Sequence, residues 1–95
     1  MSDNTYSYPL EGYWSTREML AVVDFYNQVE ASYETGTSSV ALLTAYRSFK
    51  QVIPSKGEEK RLGQSFYQVS GYSSYMAITA AKANPEGRVC LARKV

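Results

Sequence analysis

The side chains best suited to chemistry in this sequence are two pairs of glutamates. Glu58 and Glu59 are adjacent on a predicted helix, so their carboxylates point about 100° apart and are badly placed to share a proton or a metal ion. Glu30 and Glu34 are spaced to hold a cation together, but no third ligand accompanies them. We interpret Glu58 as a helix-capping residue and the other carboxylates as solvated surface. An enzyme with a carboxylate site between helices is kept as an alternative hypothesis.

Most other catalytic and metal-binding templates are excluded by the composition. The chain has no histidine, which is the commonest general base near neutral pH and the commonest metal ligand, and it has one cysteine, Cys90. Arg88 and Arg93 lie near Cys90, but without a histidine to accept its proton we expect an inert thiol. Neither a phosphate-binding loop nor a dinucleotide-binding glycine pattern occurs. We therefore expect no enzymatic activity, no cofactor, and no catalytic or metal-binding residues.

Cationic and aromatic side chains are the candidate contact groups for a partner. A basic cluster spans two predicted helices and comprises Arg47, Lys50, Lys56, Lys60 and Arg61. We interpret it mainly as a charged outer face, because two glutamates dilute it. For an unidentified protein partner, the residues to examine first are Lys50, Lys56, Tyr72 and Tyr75.

Residues 70–75 join two predicted helices through a glycine turn, as in helix-turn-helix DNA readers. A recognition helix presents arginine, asparagine or glutamine near its start, whereas the first turn here offers serine, tyrosine and methionine. The only cation of this helix is Lys82. We interpret the segment as a structural turn, and nucleic-acid binding by this unit is the second hypothesis.

Length and charge limit the class of protein. The 95 residues suffice for one domain with a modest core, so a homo-oligomer is a reasonable expectation. A net charge of +1 disfavours a nucleic-acid binder and gives no reason to expect contact with an anionic membrane. No apolar run approaches the ~20 residues that cross a bilayer, the first residues lack the features of a signal peptide, and a single cysteine cannot form an intrachain disulfide. We expect a cytoplasmic protein without membrane contact.

The elements that would position these side chains are four helices. Serine N-caps predict three of the helix starts, at Ser15, Ser55 and Ser73, and the first two are followed by a glutamate three residues on, as in a capping box. Glycine and proline supply the stops. The predicted helices cover about residues 16–33, then from the residue after Ser38 or Ser39 to 52, then 56–70 and 74–83.

Apolar residues recur three and four positions apart in these helices, which predicts their inward faces. The predicted faces are Met19, Val22, Val23, Tyr26, Val29 and Tyr33; then Leu42, Ala45, Tyr46, Phe49, Val52 and Ile53; then Leu62, Phe66 and Val69; then Tyr75 and Ile78, widened by Met76, Ala80 and Ala83. Gly63 would permit the close approach of another helix, and Tyr72 is expected to pack on Tyr67 or Phe66.

We therefore predict an all-α fold, a compact array of four helices in a single domain over residues 1–84. An aromatic extended segment over residues 8–14 is expected to lie across the helices. Residues 85–95 form a C-terminal tail that could pair as a short strand, pack on the domain or be mobile.

Several ordered blocks of the chain resemble a known family. These blocks are residues 8–10, 14–19, 45–50, 53–56, 58–60 and 70–75. They make the chain similar, over about residues 8–83, to uncharacterised protein family 0223, which consists of small cytosolic bacterial proteins. The resemblance implies a compact all-helical domain and brings no activity, so it transfers no catalytic residue. The leading hypothesis is a non-enzymatic cytosolic interaction or regulatory protein.

Overall fold

The computed structural model describes Gly12 and residues 14–91. In chain order it contains α1 (Thr16–Glu34), β1 (Thr37–Ser38), α2 (Ser39–Val52), α3 (Lys56–Ser70), α4 (Ser74–Ala83) and β2 (Arg88–Val89). The predicted all-α class with four helices is confirmed, since the strands are only two residues each. The predicted aromatic N-terminal segment lies outside the described residues, apart from Gly12 and the last residue of the segment, Trp14, which is buried.

Each helix begins at a serine whose side chain satisfies a backbone donor of the first turn. Ser15 accepts from the N–H of Glu18 at 3.2 Å, and the Glu18 carboxylate accepts from the N–H of Ser15 at 2.9 Å, which completes the predicted capping box. Ser55 likewise accepts from the N–H of Glu58, but the carboxylate of Glu58 contacts Arg61. These bonds fix the helix starts locally, which is why the sequence predicts them well.

The largest fully buried side chains of the core are aromatic rings of α1, α2 and α3. Phe25 stacks on Phe49 with ring centroids 4.6 Å apart, and Tyr26 lies 4.5 Å from Phe66. Phe25 is buried although the predicted face of α1 omitted it. Because α1 contacts α2, α4 and the Phe66 ring of α3, its buried band is wider than the single stripe predicted.

Four residues predicted to face inward are exposed instead, and Ala83 at the end of α4 is one of them. Val69 is 49% exposed, and Tyr75 and Met76 are also largely in solvent. In α4 the buried face consists of Ala77, Ile78 and Ala81. These residues share one side of the helix, so the larger side chains of the first turn point elsewhere.

Part of the C-terminal tail is a strand. β2 pairs antiparallel with β1, with Val89 opposite Thr37, and the N–H of Ser39 donates to the carbonyl of Gly87 at 2.9 Å. Val89 is buried in the core, and the N–H of Leu91 donates to the carbonyl of Ser32 at 2.6 Å. Of the alternatives that the sequence left open for the tail, the structure shows strand pairing over residues 88–89.

Candidate functional site

A groove of about 740 Å³ lies between α3 and α4, with Tyr46 of α2 at one side. The two helices approach closely at Gly63, where an added Cβ would lie 3.1 Å from the Ser74 hydroxyl. The turn that reverses the chain is closed by Gly71, which has a φ of 79° and whose N–H donates to the carbonyl of Tyr67 at 2.7 Å. The predicted close approach at Gly63 is therefore found, and it places the start of α4 against the middle of α3.

One wall of the groove is apolar and exposed. Tyr67 and Met76 are each 55% exposed and Tyr75 is 78% exposed. The largely buried Ile78 also lines the groove. Large apolar side chains that line one depression and remain in water are a common feature of interaction sites, whereas singly scattered ones need no explanation.

The other end of the groove contains a polar cluster formed by Tyr46, Lys50 and Glu59. The Tyr46 hydroxyl donates to Glu59 Oε2 at 2.8 Å, and Lys50 Nζ donates to Glu59 Oε1 at 2.7 Å. Each carboxylate oxygen of Glu59 therefore has a donor from α2. This pairing links α2 to the first turn of α3.

The electrostatics of this cluster favour the paired, ionised state of Glu59. Desolvation raises the pKa of Glu59, but hydrogen bonds from Lys50 and Tyr46 outweigh that effect, so its pKa falls below the ordinary value. Burial, together with the hydrogen bond to Glu59, raises the pKa of Tyr46 to about 12. The phenol therefore keeps its proton at neutral pH and donates a hydrogen bond to the carboxylate.

Three lysines stand at the same end of the groove. Lys56 and Lys60 are exposed on the first two turns of α3, and Lys82 extends from the last turn of α4. Lys82 Nζ lies 5.9 Å from the centroid of the Tyr46 ring, a cation–π contact that links the end of α4 to the polar cluster. The groove is therefore basic at one end and apolar at the other.

The structure brings together only some of the predicted contact residues. Lys56 and Tyr75 line the groove. Lys50 does not line it but belongs to the polar cluster through its salt bridge with Glu59. Tyr72 lies against α1, where its ring stacks on Tyr33 with centroids 4.6 Å apart. The expected packing partners of Tyr72, by contrast, were residues of α3.

Glu58 and Glu59 are held by different partners. Glu58 contacts Arg61, whereas Glu59 is held by Lys50. Glu34 accepts from the Tyr72 hydroxyl at 2.7 Å. Over the described part of the chain, no group of three or more histidine, cysteine, aspartate or glutamate residues could hold a metal ion.

The sequence does not single out Tyr46, Glu59, Tyr67, Met76 or Lys82 as contact groups, although all five line the groove. Tyr46 and Met76 were assigned to inward faces, and Glu59 was interpreted as solvated. One signal was available for Tyr67, because it follows the buried Phe66 and so lies about 100° off the inward stripe of α3.

Among the described helices, none has both the length and the apolar character needed to cross a bilayer.

Comparisons with known proteins all point to the same family. The model of the uncharacterised protein family (UPF0223) matches residues 5–90 of the chain. A UPF0223 protein of Streptococcus pneumoniae serotype 19F (strain G54) is 52% identical over 88 residues, which cover 93% of this chain and 96% of that protein. A UPF0223 protein of Streptococcus sanguinis (strain SK36) is 48% identical over 91 residues, which cover 96% of this chain and 99% of that protein.

These matches extend over nearly the whole chain, including α1 to α4 and the β2 strand, so the likeness concerns the complete fold described above. The names of the relatives state no activity, substrate or partner. The chain belongs to the uncharacterised protein family UPF0223.

Proposed function

We propose that the protein is a non-enzymatic interaction domain whose α3–α4 groove binds a segment of another protein through apolar side chains. The observation that carries the proposal is the exposed wall formed by Tyr67, Tyr75 and Met76. Aromatic residues and methionine are enriched in the contact regions of protein interfaces. Burying these side chains against a partner removes apolar surface from water, which favours association.

The polar cluster supports a binding role rather than a catalytic one. Glu59 is the one carboxylate that lines the described groove, and Tyr46 and Lys50 occupy its two oxygens. A general base must accept a proton from a substrate, and a carboxylate with a lowered pKa in a salt bridge is a poor base. The cluster instead holds α2 and α3 in place beside the groove.

The charge of the groove favours a different protein over a second copy of this chain as the occupant. Two grooves placed face to face would bring their lysines, Lys56, Lys60 and Lys82, either against each other, where like charges repel, or against the apolar end of the other groove, where they would be desolvated without a partner. A homo-oligomer through another surface stays a prediction, and light scattering on the purified protein tests it.

We also propose a cytoplasmic location, where this interaction would take place without membrane contact. Cys90 is a free and exposed thiol. Such a thiol is compatible with a reducing compartment, in which disulfides rarely persist.

The test compares two substitutions that place the same new charge on two different exposed apolar positions. Met76→Asp changes the groove wall in the first turn of α4, and Val40→Asp changes a 61% exposed residue in the first turn of α2, outside the groove. An acidic residue near a helix N-terminus is favourable, so both variants should fold, which circular dichroism verifies.

Partners captured from the native host are purified separately and titrated with each variant by calorimetry. We expect Val40→Asp to bind within about twofold of wild type and Met76→Asp to bind at least about tenfold more weakly, because the charge must be desolvated against an apolar surface. Equal binding of Met76→Asp and wild type by every purified partner would contradict the proposal.

A further inference from the structure

We propose that the segment bound in the groove is amphipathic and directional, with apolar side chains against the α3–α4 turn and acidic side chains over the opposite end. This inference rests on the proposed function and specifies the chemistry of its partner. It follows from the separation of two kinds of surface within one groove.

The apolar surface lies where the helices are joined. Tyr67 is in the last turn of α3, since its carbonyl accepts from the N–H of Gly71, and Tyr75 and Met76 are in the first turn of α4. All three side chains are more than half exposed, so a partner can reach them without a rearrangement of the helices.

The basic surface lies at the start of α3 and the end of α4, the two helix ends that are furthest along the chain from that turn. Lys56 begins α3 and Lys82 lies in the last turn of α4. Both ends meet at the polar cluster, because Lys82 lies over the Tyr46 ring and the Tyr46 hydroxyl donates to Glu59 in the first turn of α3. Lys60, one turn further along α3, completes this end.

The negative charge of Glu59 does not cancel the basic end. Lys50 lies outside the groove lining and compensates Glu59 with a salt bridge of 2.7 Å. Within the described residues, neither Lys60 nor Lys82 forms a salt bridge. The three groove lysines therefore present a positive charge to whatever occupies the groove, and carboxylates complement it.

The spacing of the two surfaces sets the spacing of the partner's residues. From Met76 to Lys82, α4 rises about 9 Å at 1.5 Å per residue. A bound helix parallel to α4 would need its acidic residues about seven positions from its apolar ones, because residues seven apart share one face and lie about 10 Å apart, and an extended segment would need about two or four positions. A helix laid in an apolar groove is an established mode of peptide recognition.

A single-stranded nucleic acid is the competing anionic occupant, because its bases stack on tyrosines and its phosphates attract lysines. None of the described residues that line the groove is an arginine, and the lining includes the apolar side chains of Met76 and Ile78, which offer no ring to stack on a base. These features favour the protein segment.

The probe is a random 16-residue peptide library displayed on phage and selected against the full chain. Selected peptides are synthesised and titrated by fluorescence anisotropy against wild type, Met76→Asp and the double variant Lys60→Glu/Lys82→Glu. Arg47→Glu serves as the matched charge-reversal control, because Arg47 is exposed on α2 and does not line the groove.

We expect the selected peptides to combine apolar residues with aspartate or glutamate at the spacing given above. Their affinity should fall at least about tenfold in the double lysine variant and stay within about twofold in Arg47→Glu, and it should weaken as salt is added. A peptide whose acidic residues are replaced by lysine should bind the double variant better than it binds wild type.

Three outcomes would overturn the inference, and they are distinguishable. If no peptide is selected, or the peptides bind Met76→Asp as well as wild type, the proposed function itself fails. If the peptides depend on Met76 but bind the double lysine variant normally, only the acidic specificity fails. If a 16-nucleotide RNA binds at about 50 mM salt more tightly than any peptide and loses affinity in both variants, the occupant is a nucleic acid.

Discussion

At the scale of single residues, Glu59 is the groove residue whose hydrogen bonds link two helices and lower its own pKa. It accepts hydrogen bonds from Tyr46 and Lys50 while a quarter of its side chain stays in water. Its pKa is lowered relative to the ordinary value of 4.5, so the folded protein holds its proton less tightly than the unfolded chain does. The residue therefore stabilises the fold above its unfolded pKa, and that contribution is lost as the pH falls through its folded pKa.

We expect Glu59→Gln to lower the free energy of unfolding by about 1 kcal/mol at pH 7, because a charge-assisted pair becomes a neutral one. Urea denaturation at a series of pH values checks this. As the pH falls from 7 through 4.5 and below, the difference between wild type and variant should shrink. Glu58, whose pKa is lowered by its hydrogen bond with Arg61, remains in both proteins and so does not affect the difference. A difference that stays constant down to pH 3 would contradict this assignment.

Phe25 and Val69 show why individual side chains are harder to place than helices. The spacing rule selected Val69 for the core and passed over Phe25, yet Phe25 is buried and Val69 is half exposed. Both lie on helices with an apolar stripe. Whether each side chain is buried depends on which neighbouring elements pack on that side of its helix. Residues of α2 cover Phe25, and spacing within α1 does not encode that contact.

These two positions give a paired stability prediction. Phe25→Ala should destabilise the protein by about 3–5 kcal/mol, because it removes a ring that stacks on Phe49 and leaves a cavity. Val69→Ala should change stability by at most about 0.5 kcal/mol, since an exposed surface substitution on a helix has little effect. Thermal and urea denaturation measure both, and the reverse order would show that the core is assigned wrongly.

At the scale of elements, the turn between α3 and α4 sets the shape of the groove. Gly71 ends α3 with a φ of 79°, a conformation that costs other residues about 1–2 kcal/mol. Gly57 lies in the first turn of α3 with ordinary backbone geometry, and an added Cβ there would meet only the Ser55 hydroxyl at 3.8 Å.

We therefore expect Gly71→Ala to destabilise the protein by about 1 kcal/mol or more, whereas Gly57→Ala should be neutral or stabilising. Chemical denaturation of the two variants decides between conformational strain and a general effect of adding a methyl group. Equal effects of the two substitutions would contradict the left-handed geometry at the turn.

The strand β2 gives the tail a structural role that its sequence left open. A chain that ends at Glu86 loses the pairing with β1 and the burial of Val89. We expect this truncation to reduce the free energy of unfolding by about 2 kcal/mol or more, since burial of a valine side chain alone contributes an amount of this size. A truncated chain that unfolds at the same urea concentration as the full chain would show that residues 1–84 suffice for the domain.

At the scale of the whole molecule, the sequence predicts the elements better than the surfaces between them. Serine N-caps, Pro54 and Gly71 act within a few residues of themselves, and the bounds of all four helices follow from them closely. The groove arises from contacts distant in sequence, such as the hydrogen bond between Tyr46 and Glu59. For that reason Lys56 and Tyr75 were identified as contact residues without any indication that they share a site.

The exposed first turn of α4 illustrates the same limit. Tyr75 and Met76 are apolar enough to be assigned to the core from sequence, and only the packing of the small residues Ala77 and Ala81 turns them to solvent. The resulting surface is the basis of the proposed binding function. Large apolar side chains that stay exposed together in one depression mark a candidate interaction site.

The central claim, that this protein binds partners through the α3–α4 groove, is tested most directly by amide chemical-shift mapping of the ¹⁵N-labelled protein with a purified partner or a selected peptide. We expect the largest shifts at groove residues, including Lys60, Tyr67, Met76 and Lys82, and no change at Leu20 and Val40. Saturating binding that shifts Leu20 and Val40 while leaving the groove residues unchanged would contradict it.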